Sequence, residues 1–167
     1  MLVFLVGFMG CGKSSIGAAL AKQLNCTFID TDVLVEQQSG MSIANLFETH
    51  GEHFFRELEY NTLKNILNKQ DCIVATGGGT PCFYDSAELM KNSGLCVYLR
   101  TDVSILYDRI KGDSMRPLLS ADYAHFQRLY ALREPCYNKF SKTLSTNNLT
   151  IVESVLQLKK MIFDESI

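Results

Sequence analysis

An apolar run, Leu2-Val-Phe-Leu-Val6, leads straight into Gly7-Phe-Met-Gly10-Cys-Gly12-Lys13-Ser14. A stretch with Ile16, Ala19, Leu20 and Leu24 on one helical face follows it. No other part of the chain constrains the fold so tightly. The glycine segment matches G-x-x-x-x-G-K-[ST] in full, and a strand before it and a helix after it are the context that makes such a match a phosphate cradle. Glycines let backbone N–H groups curl round a phosphate, and the helix N-terminus adds the positive end of its dipole. On this reading Gly10, Cys11, Gly12, Lys13, Ser14 and Ser15 build a nucleotide-phosphate site. Lys13 reaches the terminal phosphates, and the Ser14 hydroxyl holds Mg²⁺.

The rest of the chain alternates short apolar runs with helical periodicity. Strands are expected over residues 2–6, 27–29, 72–76, 95–99 and near 143–145. Helices are expected over 14–24, 33–68 (broken near Gly40 and Gly51), 85–92, 103–110 and 122–140. A last helix carries Val152, Val155, Leu156, Lys159 and Ile162 at helical spacing. Strands that are continuously apolar are buried on both faces, the signature of a parallel sheet covered by helices. The expectation is an α/β three-layer sandwich with a parallel, five-stranded sheet. With 167 residues and no repeat, low-complexity tract or linker, one domain spans the chain.

Charge narrows the function classes. Sixteen Lys and Arg against eighteen Asp and Glu give a net charge of −2, which excludes the broadly basic surface of a nucleic-acid or anionic-membrane binder. The distribution is uneven. Residues 1–29 hold Lys13 and Lys22 and no acid, whereas residues 30–60 hold seven acids and one base, Arg56. An anion site therefore fits the first segment, and a divalent cation fits near the second. Six cysteines stand at irregular spacings without a C-x-x-C pair and are expected to be reduced thiols, mostly core filler. No export signal or membrane span is expected, and the cytoplasm is the expected compartment.

Further motifs are open to two readings each. Asp30-Thr-Asp32 ends the second strand, the edge where open α/β sheets bind ligands. Asp30 is then the best-placed Mg²⁺ carboxylate, because the third strand runs into Thr76-Gly-Gly-Gly79 rather than an Asp; alternatively, Asp32 only caps the next helix. The glycines at 77–79 admit a ligand close to the backbone, or merely form a turn before Pro81. Arg56 suits a carboxylate bidentately, or makes an i,i+3 surface pair with Glu59 worth ~0.2–0.5 kcal/mol. Phe47 and Phe55 are core, or wall a ring-shaped substrate. Arg116 lies in a polar loop able to close over phosphates, or in a plain connector, and Arg133 could simply pair with a nearby acid. Asn68-Lys-Gln-Asp71 fits a guanine-reading pattern but precedes a strand instead of following one. His50 and His53 have no third metal ligand near them. Cys11 sits at a helix N-terminus two residues before Lys13, where negative charge is favoured, and is expected to be the thiol most readily alkylated.

Taken together the ordered set resembles the shikimate kinases over essentially the whole chain: G-F-M-G-x-G-K-S, D-T-D, F-F-R-x-L-E, T-G-G-G, R-P-L-L and L-R-E-P-x-Y. The resemblance implies a P-loop NTPase fold with a helical substrate subdomain at about 33–61 and a lid at about 112–122. It implies transfer of a phosphoryl group from ATP to the 3-hydroxyl of shikimate, with Mg²⁺. Lys13 and the loop backbone would hold the ATP phosphates, and Ser14 and, through water, Asp30 the metal. Asp32 would contact the shikimate hydroxyls as base, Arg56 and Arg133 would clamp its carboxylate, and Gly78 and Gly79 would line its pocket. Phe47 and Phe55 match its aromatic wall, Arg116 the lid and Arg109 the position flanking adenine. The expected partners are small molecules, and the expected state is a monomer. A gluconate or nucleoside-monophosphate kinase and a non-catalytic nucleotide-binding regulator are the competing classes. The presence of Asp32, Arg56 and Arg133 together argues against the regulator.

Overall fold

A computed structural model of the chain describes residues 1–111 and 122–163. Its strands are β1 (Leu2–Val6), β2 (Thr27–Asp30), β3 (Cys72–Ala75), β4 (Leu95–Arg100) and β5 (Lys142–Ser145). They pair in parallel throughout, in the order β2-β3-β1-β4-β5. The helices are α1 (Lys13–Leu24), α2 (Thr31–Ser39), α3 (Ile43–Ile66), α4 (Ser86–Ser93), α5 (Val103–Ile110), α6 (Tyr123–Tyr137) and α7 (Ile151–Phe163). The expected parallel five-stranded α/β fold is the observed one.

β1 runs through the centre of the sheet with all five residues buried, which is why its sequence is apolar without alternation. Each large side chain fully buried there stabilises the fold by roughly 1.5–3 kcal/mol. The connection from β1 to β2 passes in one direction across the sheet, and those from β2 to β3 and from β3 to β4 pass in the other. Right-handed crossovers then place α1 on one face and α3 and α4 on the opposite one. The contacts agree: α1 packs on α7 and across β3, and α3 touches α4. A crevice consequently opens at the carboxyl ends of β1 and β3, where the chain leaves in opposite directions.

The helical stretch after β2 is divided where glycines stand. Gly40 closes α2 in the left-handed region with φ of 68°, and Gly51 interrupts α3 with φ of 78° and ψ of 173°. Both conformations suit a residue without Cβ. Val35, Leu46 and Phe55 form a small core of their own between α2 and α3, apart from the main core under the sheet. Two details differ from the sequence reading. In α7 the inward face is Ser154, Val155 and Leu158, while Val152 and Leu156 are exposed, so the apolar spacing was offset from the buried face. A short 3₁₀ turn over Thr80–Cys82, with Pro81 inside it, was also not expected. A proline so early in a turn has no use for the N–H it lacks.

Candidate active site

The loop between β1 and α1 carries three glycines with positive φ: Gly7, Gly10 and Gly12. Gly12 is the N-cap of α1, so the helix begins on Lys13 and its free N–H groups face the crevice. Lys13 is buried; its Nζ donates to the carbonyl oxygens of Gly7 (2.8 Å) and Phe8 (2.9 Å) and lies 3.7 Å from the Cys11 Sγ. The ammonium is thereby held across the mouth of its own loop. Ser14 Oγ donates to Asp30 Oδ2 at 2.5 Å. The other oxygen, Asp30 Oδ1, accepts from the Asp32 N–H at 3.0 Å. Asp30 is therefore the cap of α2, which corrects the alternative that Asp32 served that purpose. One carboxylate capping a helix and meeting a loop hydroxyl gives an all-oxygen pair, the donor chemistry suited to a hard divalent cation.

Cys11 departs from expectation. Its side chain is buried, 1% exposed, and a Cβ placed on Gly7 would lie 2.9 Å from its sulfur. The loop turns its backbone outward, so this side chain is tucked beneath it against the end of β1. It is not an accessible thiol, and preferential alkylation there is not expected.

Beside the loop, the glycine turn at residues 77–79 gathers the charged side chains. A Cβ on Gly77 would collide with Glu59 Oε1 and lie 2.7 Å from Asp32 Oδ1; one on Gly79 would lie 2.5 Å from Arg56 Nη1. A Cβ on Gly78 would come within 3.7 Å of Arg133 Nη1 and 3.4 Å of the Met9 nitrogen. The absent side chains are thus the room in which two acids and two arginines meet. The turn is pinned from both sides. The Gly77 N–H donates to the Thr31 hydroxyl (2.8 Å), and the Tyr137 hydroxyl donates to the Gly78 carbonyl (2.5 Å). Burial pushes the Tyr137 phenol well above its ordinary value, so it remains a donor.

Arg56 is not on the surface. It is 6% exposed, and Glu59 is 2% exposed, which sets aside the weak surface pair. Arg56 Nη1 donates to Glu59 Oε2 at 2.8 Å, and the other Glu59 oxygen accepts from the Thr80 hydroxyl at 2.6 Å. Arg56 Nε and Nη2 donate to Glu52 Oε1 at 3.2 and 3.1 Å. The guanidinium centre lies 4.1 Å from the Phe83 ring centroid, 4.9 Å from that of Phe55 and 5.9 Å from that of Phe47. A buried charge needs such partners, since truncating one partner of a buried pair typically costs about 3–5 kcal/mol. Phe55 is buried and Phe47 is half-open at 37% exposed; their rings are 4.7 Å apart. Arg133 sits 5.7 Å from the Phe8 ring centroid.

These groups frame a cleft of about 300 Å³ whose walls include Lys13, Ser14, Asp30, Asp32, Gly78 and Arg109. A second hollow of about 260 Å³ lies behind the loop, between Arg109 and the segment containing Thr146 and Leu149. Arg109 Nη1 donates to the Gly10 carbonyl at 3.2 Å, so this arginine joins the two. Arg116 and nearly all of the expected lid lie outside the described residues. Reading the sequence missed Glu52, Thr80, Phe83 and the anchoring roles of Thr31 and Tyr137. Tyr137 was visible as the end of L-R-E-P-x-Y, but Phe83 carried no signal because its partner Arg56 lies 27 positions away.

Comparison with known proteins places this geometry. A family model described as "Shikimate kinase" matches residues 9–162. The shikimate kinase of Sulfurihydrogenibium sp. (strain YO3AOP1) is 38% identical over 157 residues, covering 92% of this chain and 95% of that protein. Among solved structures, shikimate kinase from Acinetobacter baumannii in complex with shikimate is similar, with a TM-score of 0.94 and 31% identity. That match covers 99% of this chain and 94% of the other. The enzyme from Aquifex aeolicus vf5 gives a TM-score of 0.89 and 30% identity over 100% of this chain and 99% of the other.

Proposed function

The chain belongs to the shikimate kinase family, and on that premise we propose that it transfers the γ-phosphoryl group of ATP to the 3-hydroxyl of shikimate. The products are shikimate 3-phosphate and ADP, a step in aromatic amino-acid biosynthesis. The observation that carries the reading is the convergence of Asp32, Arg56 and Arg133 on the glycine turn beside Lys13. An acid, two cations and a phosphate loop at one sheet edge suit an acceptor with a carboxylate at one end and hydroxyls at the other.

In this reading Arg56 and Arg133 bind the carboxylate, with Gly78 and Gly79 leaving the backbone close to the ring and Phe47 and Phe55 walling it. That remote binding energy holds the hydroxyl in line with the phosphoryl group, and positioning is the larger part of catalysis in such transfers. Asp32 orients the 3-hydroxyl and takes its proton as the new bond forms. Lys13 exchanges its carbonyl partners for phosphate oxygens and, with Arg116 from the lid, neutralises charge on the transferring group. The loop from Gly10 to Ser15, Cys11 included through its backbone, holds the phosphates, and Arg109 flanks the adenine at the second hollow. Ser14 and Asp30 are the residues fitted to Mg²⁺, which when bound draws negative charge from the phosphate oxygens.

The segment at about 33–61, with its separate small core, is the proposed substrate subdomain, and residues 112–122 the lid. Every group named comes from one chain, so a monomer suffices. The cytoplasm is the proposed compartment; among the described residues no helix is long and apolar enough to cross a membrane. The test is ADP release measured with shikimate, gluconate or AMP as acceptor. Shikimate alone should stimulate it, by at least a hundredfold over the acceptor-free rate; stimulation by AMP or gluconate instead would reject the assignment.

A further inference from the structure

Arg56 is held by two carboxylates of unlike standing. Glu52, which accepts from Nε and Nη2, has a side chain 58% exposed, whereas Glu59, which accepts from Nη1, is buried. On the open side water competes for the same N–H groups, and an exposed glutamate exchanges partners freely. The buried glutamate is the constant partner. Whatever fixes Glu59 therefore decides where the guanidinium stands.

One bond to Arg56 does not fix a carboxylate by itself. The last torsion of a glutamate is broad and two-fold, so a single hydrogen bond leaves the group free to tilt. Here the second oxygen is tied down as well: Glu59 Oε1 accepts from Thr80 Oγ1 at 2.6 Å, 21 positions away in the chain. Thr80 is itself buried and opens the 3₁₀ turn. Its N–H donates to the Gly77 carbonyl at 3.2 Å, and Pro81 follows it. The donor thus stands on a short, pinned turn, and a β-branched side chain has few χ1 settings open to it. An ionised carboxylate only accepts, so the hydroxyl proton is committed to Glu59. Gly77 leaves the room for this contact, since a Cβ there would collide with Glu59 Oε1 and stand 3.0 Å from Thr80 Oγ1. Asp32 Oδ1 borders the same opening, 2.7 Å from that position. Glu59 Oε1 takes its hydrogen bond beside a like charge, where an unsatisfied oxygen is costly.

We propose that Thr80 is a positioning residue for acceptor binding: its hydroxyl fixes the Glu59 carboxylate, and Glu59 so fixed sets the Arg56 guanidinium for the carboxylate of the acceptor. The proposal rests on the functional reading above for the identity of that acceptor. The hydroxyl, rather than the bulk of Thr80, is the working part. Three substitutions separate the two. Thr80→Val keeps the volume and loses the hydroxyl, Thr80→Ser keeps the hydroxyl and loses a methyl group, and Thr80→Ala loses both.

The experiment records steady-state kinetics of the full-length wild type and the three variants with shikimate and with its methyl ester, alongside their Tm values. Losing one charge-assisted hydrogen bond on the way to Arg56 predicts about a tenfold rise in the shikimate KM of Thr80→Val, with kcat and the ATP KM within about twofold. Thr80→Ala should show the same rise and Thr80→Ser should reverse it, although the missing methyl group lowers the Tm of both. The ester has no charge for Arg56 to hold, so on it Thr80→Val and wild type should differ in KM by less than about twofold. A threonine that only fills space gives another pattern: equal losses on acid and ester that follow Tm, with Thr80→Ser no better than Thr80→Ala. That pattern, or an unchanged shikimate KM in Thr80→Val, would overturn the proposal. If Thr80→Val does not fold, Thr80→Ser against Thr80→Ala decides the matter, because those two differ only in the hydroxyl. The comparison is run on whichever acid stimulates the wild type. A hydroxyl-dependent KM on an acid other than shikimate would sink the acceptor assignment and leave the positioning role standing. Stimulation by shikimate with equal KM in every variant would do the reverse, and a wild type stimulated by no carboxylate would end both.

Discussion

The phosphate loop and the proposed carboxylate clamp are neighbours at one sheet edge, but they are built in opposite ways. The loop is made of backbone: nine consecutive residues, three left-handed or extended glycines and one helix terminus. The clamp is made of side chains from α2, α3, the glycine turn and α6, whose members stand far apart in the sequence. A backbone site tolerates change in most of its side chains, provided the glycines and Lys13 remain. A side-chain site depends on every partner that holds a charge in place. Substitutions in the clamp should therefore separate acceptor binding from nucleotide binding, and three of them test that separation at decreasing amplitude.

The largest effect is expected from Asp32→Asn. Loss of a general base typically costs about 10²–10⁴ in rate, so kcat should fall by about a thousandfold while the Kd for ATP, from titration calorimetry, stays within about threefold. Equal loss of both would mean that the two regions are one electrostatic unit. Gly79→Ala comes next. Its Cβ has no room beside the Arg56 guanidinium, and losing well-placed charged hydrogen bonds of about 1.5–3 kcal/mol translates to roughly 10–150-fold in the shikimate KM. The ATP KM should not follow. Tyr137→Phe is the mildest, because it removes one hydrogen bond to the Gly78 carbonyl and nothing from the ring packing. About 1 kcal/mol of turn anchoring predicts roughly a fivefold rise in the shikimate KM; a wild-type value would show the turn to be held by Thr31 and its own backbone.

The same contrast explains what could be read in the sequence. The loop was legible because its chemistry is contiguous, and the strand and helix flanking Gly7 to Ser14 give it context within 24 residues. The strands and their parallel, helix-covered sheet were legible in continuous apolar runs, as at Leu2–Val6 and Cys72–Ala75, whereas the order of the strands across the sheet was not. The proposed clamp was legible as a set only through the resemblance of ordered motifs, since the residues alone left Arg56 open between a carboxylate partner and an ordinary surface pair. Its burial depends on Phe83 and Gly79 arriving from another segment, and no local pattern encodes that meeting. Cys11 failed for the complementary reason: position in the chain placed it at a helix N-terminus, but only the turn of the loop decides which way a side chain points. The cap at Asp30 was missed by two residues because a strand-ending aspartate and a helix-capping one look alike in sequence.

In the proposed reading, phosphate recognition is local and backbone-made, whereas acceptor recognition rests on cations gathered at the glycine turn. The most direct measurement compares shikimate with its methyl ester, which keeps the ring and all hydroxyls and loses only the charge. Desolvated charge pairs truncated on one side cost about 2–5 kcal/mol, so kcat/KM should fall by about a hundredfold or more for the ester while the ATP KM is unchanged. An ester phosphorylated with the same kcat/KM as shikimate would contradict the account.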